Sequence, residues 1–193
     1  LWNLDLAFAD VVATSSDPRL GAIRLAWWRE RLDALDTDAD HPAEPRLQAA
    51  ANELLPRGVT GKELARLEDA WLPLMEPFPW GEDQAEGLKL RGRILFGIGA
   101  RLMGQAADAA EQAGALWSLV DGAHHCSDTQ SRNFLRQRAV AVLAATRTPM
   151  PRGLRGLTVL AALASADLLR EGSGLKRLSA AVKHRLMGSL PHG

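Results

Sequence analysis

The sequence is poor in several residue types, and each scarcity limits what the protein can be. Its 193 residues include no tyrosine and one cysteine, Cys126, so an internal disulfide is excluded and a reducing compartment is favoured. No apolar run reaches the about 18–20 residues needed to span a bilayer. The longest apolar run, 157–169, is interrupted by Thr158, Ser165 and Asp167 and is predicted to be a buried core helix.

The chain also lacks a net charge, because 23 Lys and Arg residues are balanced by 23 Asp and Glu residues. Nucleic acid is therefore excluded as the main partner, since phosphate binding requires a strong basic excess. No secretory signal pattern is visible, and we expect a soluble, cytoplasmic protein. Because the chain begins with Leu1 instead of Met, a truncated N-terminus is a further expectation.

Helix-forming residues make up most of what is present. Ala and Leu dominate, β-branched residues are sparse, and alternating strand patterns are absent. The composition predicts an all-α protein, and the length suits one domain covering 1–193. Three capping signals predict helix starts: Asp17 before Pro18, Thr60 with Glu63, and Asp128.

Residues 17–36, DPRLGAIRLAWWRERLDALD, are the most distinctive stretch of the chain. From Leu20 they are predicted to form one long amphipathic helix. Each tryptophan carries about 150–250 Å² of surface that can be buried, so at least one of the pair must face a core or a pocket. The predicted apolar face consists of Ile23, Trp27, Trp28, Leu32 and Leu35.

A second long helix is predicted from Glu82 to about Met103, and it contains Gly92, Gly97 and Gly99. A glycine inside a helix costs about 0.5–1 kcal/mol relative to alanine. Three of them within eight residues therefore indicate close approach, either by another helix or by a ligand.

The order of residues in 17–36 (Asp-Pro, Arg-Leu, Trp-Trp-Arg, then Leu) resembles the second conserved helix of the squalene/phytoene synthase family. The resemblance is to the branch that includes bacterial homologues of mitochondrial respiratory complex I assembly factors. Residues 88–104 are similar to the glycine-bearing helix that lines the cavity in this family. The resemblance implies a single-domain helical bundle of the isoprenoid synthase type and a location peripheral to the inner membrane.

Active members of that family join two prenyl diphosphates, using two Asp-rich helical motifs that hold magnesium. Carboxylates at i and i+4 share a helix face and can bridge such an ion. In the first motif region, Asp10 is followed four residues later by Thr14. Alignment on Gly114 places the diagnostic positions of the second motif on Ser118, Asp121, His124, His125 and Thr129. Both carboxylate pairs are missing, so we predict no metal site and no cofactor, with magnesium relevant only to an active enzyme.

The remaining site candidates follow from this comparison. The catalytic candidates are Asp10, Asp121 and His125. Arginines can hold a diphosphate or an anionic lipid headgroup by bidentate contacts, although most helix-surface arginines are simply solvated. The candidate residues for a ligand cavity are Arg24, Trp27, Trp28, Arg91, Gly97, Gly99, Ser118 and His124.

Other polar clusters favour structural interpretations. Consecutive helix residues point about 100° apart, so His124-His125-Cys126 is a poor zinc site, and we expect its histidines to bind free carbonyls at a helix end. Cys126 is predicted to be a small buried hydrophobic residue. The acidic pairs Asp36/Asp40, Glu82/Glu86 and Asp167/Glu171 are predicted to be solvated surface charges. The basic final helix, 175–186, is compatible with an acidic membrane surface or with plain solvent exposure.

Three functions remain open. The leading hypothesis is a non-catalytic pseudoenzyme of the squalene/phytoene synthase type that binds an isoprenoid or lipid chain or a protein partner. The alternative is an active magnesium-dependent head-to-head prenyl transferase acting on prenyl diphosphates. The third is a purely structural helical interaction protein.

Overall fold

The structure, a computed structural model, describes residues 1–37, 43–146, 149–169 and 174–191. Every regular element in these ranges is helical, which confirms the all-α prediction. None of the helices in the described ranges is both long and apolar enough to cross a bilayer. The chain divides into two compact units, Leu1–Pro77 and Phe78–Gly193. The single domain over 1–193 and the isoprenoid synthase type stay predictions.

The first unit packs its short helices around α1 and α2. Its core joins Leu4, Phe8 and Val11 of α1 to Leu25 and Trp28 of α2, all of which are buried. Two 3₁₀ turns, Leu55–Arg57 and Leu72–Met75, follow the third and fifth helices. The helices are α1 (Trp2–Thr14), α2 (Pro18–Ala34), α3 (Pro45–Glu53), α4 (Gly61–Ala65) and α5 (Leu67–Trp71).

Side-chain caps fix where these helices begin. The Asp17 carboxylate accepts the backbone N–H of Arg19 at 2.8 Å, with Pro18 as the first helical residue, as predicted. Thr60 and Glu63 form the predicted capping box at the start of α4. The helix that begins there ends at Ala65, and a separate helix, α5, begins at Leu67.

Asp36 supplies a cap that the local sequence does not reveal. Its carboxylate accepts the backbone N–H groups of Gly61 at 2.6 Å and Lys62 at 2.9 Å, at the start of α4. Asp36 is exposed in a turn, as predicted for a surface charge, and its carboxylate in addition binds free amides of a distant helix start. The other members of two predicted pairs, Asp40 and Glu171, lie outside the described residues.

The predicted apolar face of α2 was too broad. Trp28 is 8% exposed and Leu32 is fully buried, whereas Ile23 is 65% exposed. At about 100° per residue, Ile23 and Trp27 lie on a different side of the helix from Trp28 and Leu32. One tryptophan of the pair therefore faces the core, as the sequence requires, and the other faces outward.

The second unit is built on α7, which packs against α6, α8 and α9. A Cβ atom on Gly92 would collide with the carbonyl of Gly114, and one on Gly114 would collide with the carbonyl of Gly92. These glycines therefore let the α6 and α7 backbones touch. The helices are α6 (Glu82–Leu102), α7 (Asp108–His125), α8 (Thr129–Ala145), α9 (Arg155–Leu168) and α10 (Gly174–Met187).

Candidate functional site

A charged cluster lies between α6 and α7 of the second unit, and Arg91 is its centre. The Arg91 residue is only 6% exposed, yet it carries a permanent positive charge. Its Nη1 atom donates to Asp121 Oδ2 at 2.7 Å and lies 3.4 Å from the Oγ of the fully buried Ser118. Its guanidinium carbon lies 4.7 Å from the centre of the Trp117 ring. Three of the predicted site residues, Arg91, Ser118 and Asp121, therefore meet in one place.

The crossing of the two helices produces this meeting. The Gly92–Gly114 contact brings α6 and α7 together on one side of Arg91, and Gly122 packs against the Leu88 side chain on the other. At this close separation an arginine on α6 spans the gap to residues on α7. Desolvating a guanidinium is costly, so the carboxylate and the aromatic ring are needed to compensate for it.

His125 lies at the rim of the cluster. Its Nδ1 atom is 2.9 Å from the Asp121 backbone carbonyl and 3.6 Å from Asp121 Oδ1, and its side chain is 79% exposed. His124 is also exposed, whereas Cys126 is buried, as predicted for a small hydrophobic residue. The contact from His125 to a carbonyl in the last turn of α7 is the helix-end role expected from the sequence.

Asp10 and Arg24 belong to the first unit. The Asp10 carboxylate is 67% exposed, and its Oδ2 lies 3.6 Å from Arg46 Nη2. Arg24 donates to the hydroxyls of Thr14 at 3.3 Å and Ser15 at 3.1 Å, where α1 ends. Asp10 and Arg24 therefore both have polar partners inside the first unit.

The two candidate tryptophans form the outer part of an aromatic row in the first unit. Trp27 packs edge-to-face on Trp28 with ring centres 5.2 Å apart, and Trp28 lies 6.0 Å from Phe8. The guanidinium of Arg31 lies 5.8 Å from the Trp27 ring centre. Trp28 thus serves the core, while Trp27 offers an aromatic edge that is 41% exposed.

The candidate cavity glycines of α6 face side chains of neighbouring helices. A Cβ atom on Gly97 would lie 2.8 Å from Glu111 Oε1 of α7. One on Gly99 would lie 3.1 Å from Leu157 Cδ2 of α9. Of the two explanations that the sequence left open for these glycines, the structure displays close helix packing.

Sequence reasoning missed two buried carboxylates in the first unit. Asp5 is 2% exposed and accepts the indole N–H of Trp71 at 2.9 Å. Glu68 is 5% exposed, and burial raises the pKa of its carboxyl group, an effect opposed by Arg29 at 3.9 Å. The only local signal was Asp5 standing between Leu4 and Leu6 in an apolar stretch.

The carboxylates near the candidate site bear on metal chemistry. Magnesium requires carboxylate oxygens that are available to it. Asp121 is bound by a buried guanidinium, and Asp10 faces Arg46. Within the described ranges, no three His, Cys, Asp or Glu side chains are grouped so that they could hold a metal ion. Among the described residues, both candidate carboxylates therefore already face an arginine side chain.

No family model, curated protein or solved structure matches the chain.

Proposed function

We propose that this chain is a squalene/phytoene-synthase-like helical protein that has lost prenyl transfer and acts by binding. The observation that carries the proposal is the 2.7 Å contact between Arg91 and Asp121. Asp121 is the carboxylate in the second motif region that remains as a candidate for magnesium, and a guanidinium already occupies it. Ionising a prenyl diphosphate requires divalent ions to stabilise the leaving group.

Electrostatics support the same conclusion. A cation approaching Asp121 would be repelled by the adjacent guanidinium, which is desolvated and cannot lose its proton. Drawing Asp121 away from Arg91 would also weaken an ion pair whose guanidinium is buried. A magnesium ion at this position would have to overcome both penalties.

Two binding modes fit the proposal: the chain binds a protein partner, or it binds an isoprenoid or lipid chain. The packing of α6 helps to choose between them. Its glycines face Glu111, Leu157 and the backbone of Gly114, so these helix surfaces are occupied by protein. This favours the interaction protein, in which the bundle presents outer surfaces to a partner. The alternative mode retains a bound isoprenoid or lipid chain.

The test is magnesium-dependent release of pyrophosphate from farnesyl or geranylgeranyl diphosphate by the full chain. We expect no release above that of the heat-denatured protein, with or without Mg²⁺. Release that requires Mg²⁺ and is abolished by Asp121→Asn would overturn the proposal and establish the active prenyl transferase. Asp69→Asn, an exposed carboxylate of the first unit, is the matched control.

Binding is measured separately, by the tryptophan fluorescence of the six indoles during titration with geranylgeranyl diphosphate. Saturable binding without turnover supports the prenyl-chain mode. The absence of any saturable change supports the interaction protein. In the prenyl-chain mode, Trp27→Phe is expected to weaken binding, because this exposed indole is among the cavity candidates.

A further inference from the structure

The C-terminal helix α10 is fixed to the second unit by polar contacts on one side. His184 Nε2 lies 2.9 Å from Thr158 Oγ1 of α9, and Arg177 lies 3.3 Å from the Asp167 carboxylate. Arg155 of α9 donates to the carbonyl of Leu186 at 2.6 Å, which satisfies an acceptor in the last turn of the helix. These contacts set which face of α10 points inward.

The opposite face of α10 is an apolar stripe. The residues buried on this helix are Ala180 and His184, which mark the inward side. At about 100° per residue the stripe covers an arc of about 80° that points away from them. Its members are between 50% and 81% exposed. They are Leu175, Leu178, Val182 and Leu186.

Positive charge borders the stripe on both sides. Lys183 lies beyond one edge and Arg185 beyond the other, and Lys176 is on the same flank as Lys183. The helix contains four Lys and Arg residues and no Asp or Glu. The whole chain has 23 of each sign, so the rest of the chain carries 19 basic and 23 acidic residues. This helix thus carries four basic residues that no acidic residue of its own offsets.

From this arrangement we propose that the apolar stripe of α10 docks on an anionic phospholipid membrane surface. Leu and Val side chains enter the boundary between headgroups and acyl chains, while the flanking cations meet lipid phosphates. A second copy docked stripe to stripe is a poor occupant, because Lys183 and Arg185, which border the stripe, would face the same cations of the other copy. Aliphatic stripes without aromatic anchors are also unlike the energetic centres of protein interfaces.

The test is flotation of the full chain with lipid vesicles at low salt. We expect binding to vesicles of phosphatidylcholine mixed with phosphatidylglycerol and little binding to phosphatidylcholine alone. Added salt should weaken the binding, because the exposed charges become screened. This inference does not rest on the proposed function, since pyrophosphate release and vesicle binding can succeed or fail independently.

Two double variants separate the electrostatic contribution to membrane binding from the apolar contribution. Lys183→Gln with Arg185→Gln should weaken partitioning about 25-fold, since each cation near an anionic surface contributes about fivefold. Leu178→Gln with Val182→Gln should weaken it at least about tenfold by removing apolar burial. All four positions are exposed and glutamine is a good helix former, so helix content measured by circular dichroism should not change.

Matched controls are Lys62→Gln and Val140→Gln, which remove an exposed cation and an exposed apolar side chain from other helices and should bind vesicles as wild type does. No binding to anionic vesicles, or unchanged binding in both double variants, would overturn the proposal. So would equal binding to neutral vesicles. A wild-type dimer in sedimentation that Leu178→Gln with Val182→Gln converts to a monomer would assign the stripe to a second copy instead.

Discussion

His184 and Arg91 are both buried ionisable residues. The surroundings of His184 favour its neutral form, whereas Arg91 stays charged and is paired with a carboxylate. His184 faces two oxygen atoms, the Thr158 hydroxyl at 2.9 Å and the Ser189 carbonyl at 3.0 Å, and it has no carboxylate partner in these contacts. Burial lowers the pKa of His184; the hydrogen bond to the Ser189 carbonyl opposes this effect, and the nearby Arg155 adds to it, so that the pKa lies below its ordinary value. Thr158 Oγ1 also lies 3.0 Å from the Leu154 carbonyl, so the neutral ring satisfies both contacts when Nδ1–H donates to Ser189 and the Thr158 hydroxyl donates to Nε2 instead of to Leu154. Arg91 cannot become neutral and therefore requires Asp121.

The depressed pKa of His184 makes the stability of the second unit depend on pH. As the pH falls below the ordinary histidine pKa of 6.5, His184 is protonated in the unfolded chain but stays neutral in the folded chain. Protonation therefore favours the unfolded state, and the free energy of unfolding decreases. We expect His184→Asn to flatten the profile between about pH 7.5 and pH 5, removing a slope of at most about 1.4 kcal/mol per pH unit. The measurement is the free energy of unfolding from urea titrations.

The comparison with wild type isolates the contribution of this histidine, because every other titratable group is common to both proteins. His124→Asn, which replaces an exposed imidazole on α7, is the control and should retain the wild-type profile. Parallel profiles for wild type and His184→Asn would contradict the assignment of the slope to His184.

At the scale of elements, the contact between Gly92 of α6 and Gly114 of α7 sets the geometry of the candidate site. A methyl group at Gly92 would meet backbone atoms, which cannot move aside as a flexible side chain can. Gly92→Ala should therefore destabilise the protein by about 1–3 kcal/mol, even though alanine is the better helix former. It should also lengthen the Arg91–Asp121 contact, because the two helices must separate.

Gly156 of α9 is the matched control for this substitution. A Cβ atom there would meet nothing within 4 Å. Gly156→Ala should stabilise the protein by about 0.5 kcal/mol through helix propensity alone. In thermal unfolding, we expect Gly92→Ala to lower the midpoint temperature and Gly156→Ala to raise it. An increase in the midpoint for Gly92→Ala would disprove the close backbone contact.

The elements also show how far sequence reasoning reaches in this chain. The caps at Asp17, Thr60 and Asp128 were predictable, because a cap needs only a side chain and an amide within a few residues. The break between α4 and α5 after Ala65 was not predictable, because helix propensity in this segment gives no sign of it. The pairing of Arg91 with Asp121 also escaped prediction, although both residues were candidates. Their meeting depends on the register of α6 against α7, which a single sequence does not specify.

At the scale of the whole molecule, a net charge of zero conceals an uneven distribution. Removing the four cations of α10 from the total leaves a deficit of four positive charges elsewhere, from 19 against 23. A molecule divided in this way can attract other copies of itself, the basic helix of one meeting acidic surface of another. Near the sequence isoelectric point of 7.2 no overall repulsion opposes that attraction.

We therefore expect self-association, followed by light scattering at low salt, to be strongest near neutral pH and to weaken as the pH is raised to about 9. Added salt should also weaken it, since the attraction is between exposed charges. Lys183→Gln with Arg185→Gln gives a net charge of −2, from 21 basic and 23 acidic residues, and reduces the charge on α10. This variant should scatter less than wild type at neutral pH, whereas Leu178→Gln with Val182→Gln, which leaves the charges in place, should keep the salt dependence. Scattering that increases with salt would instead indicate apolar association through the stripe.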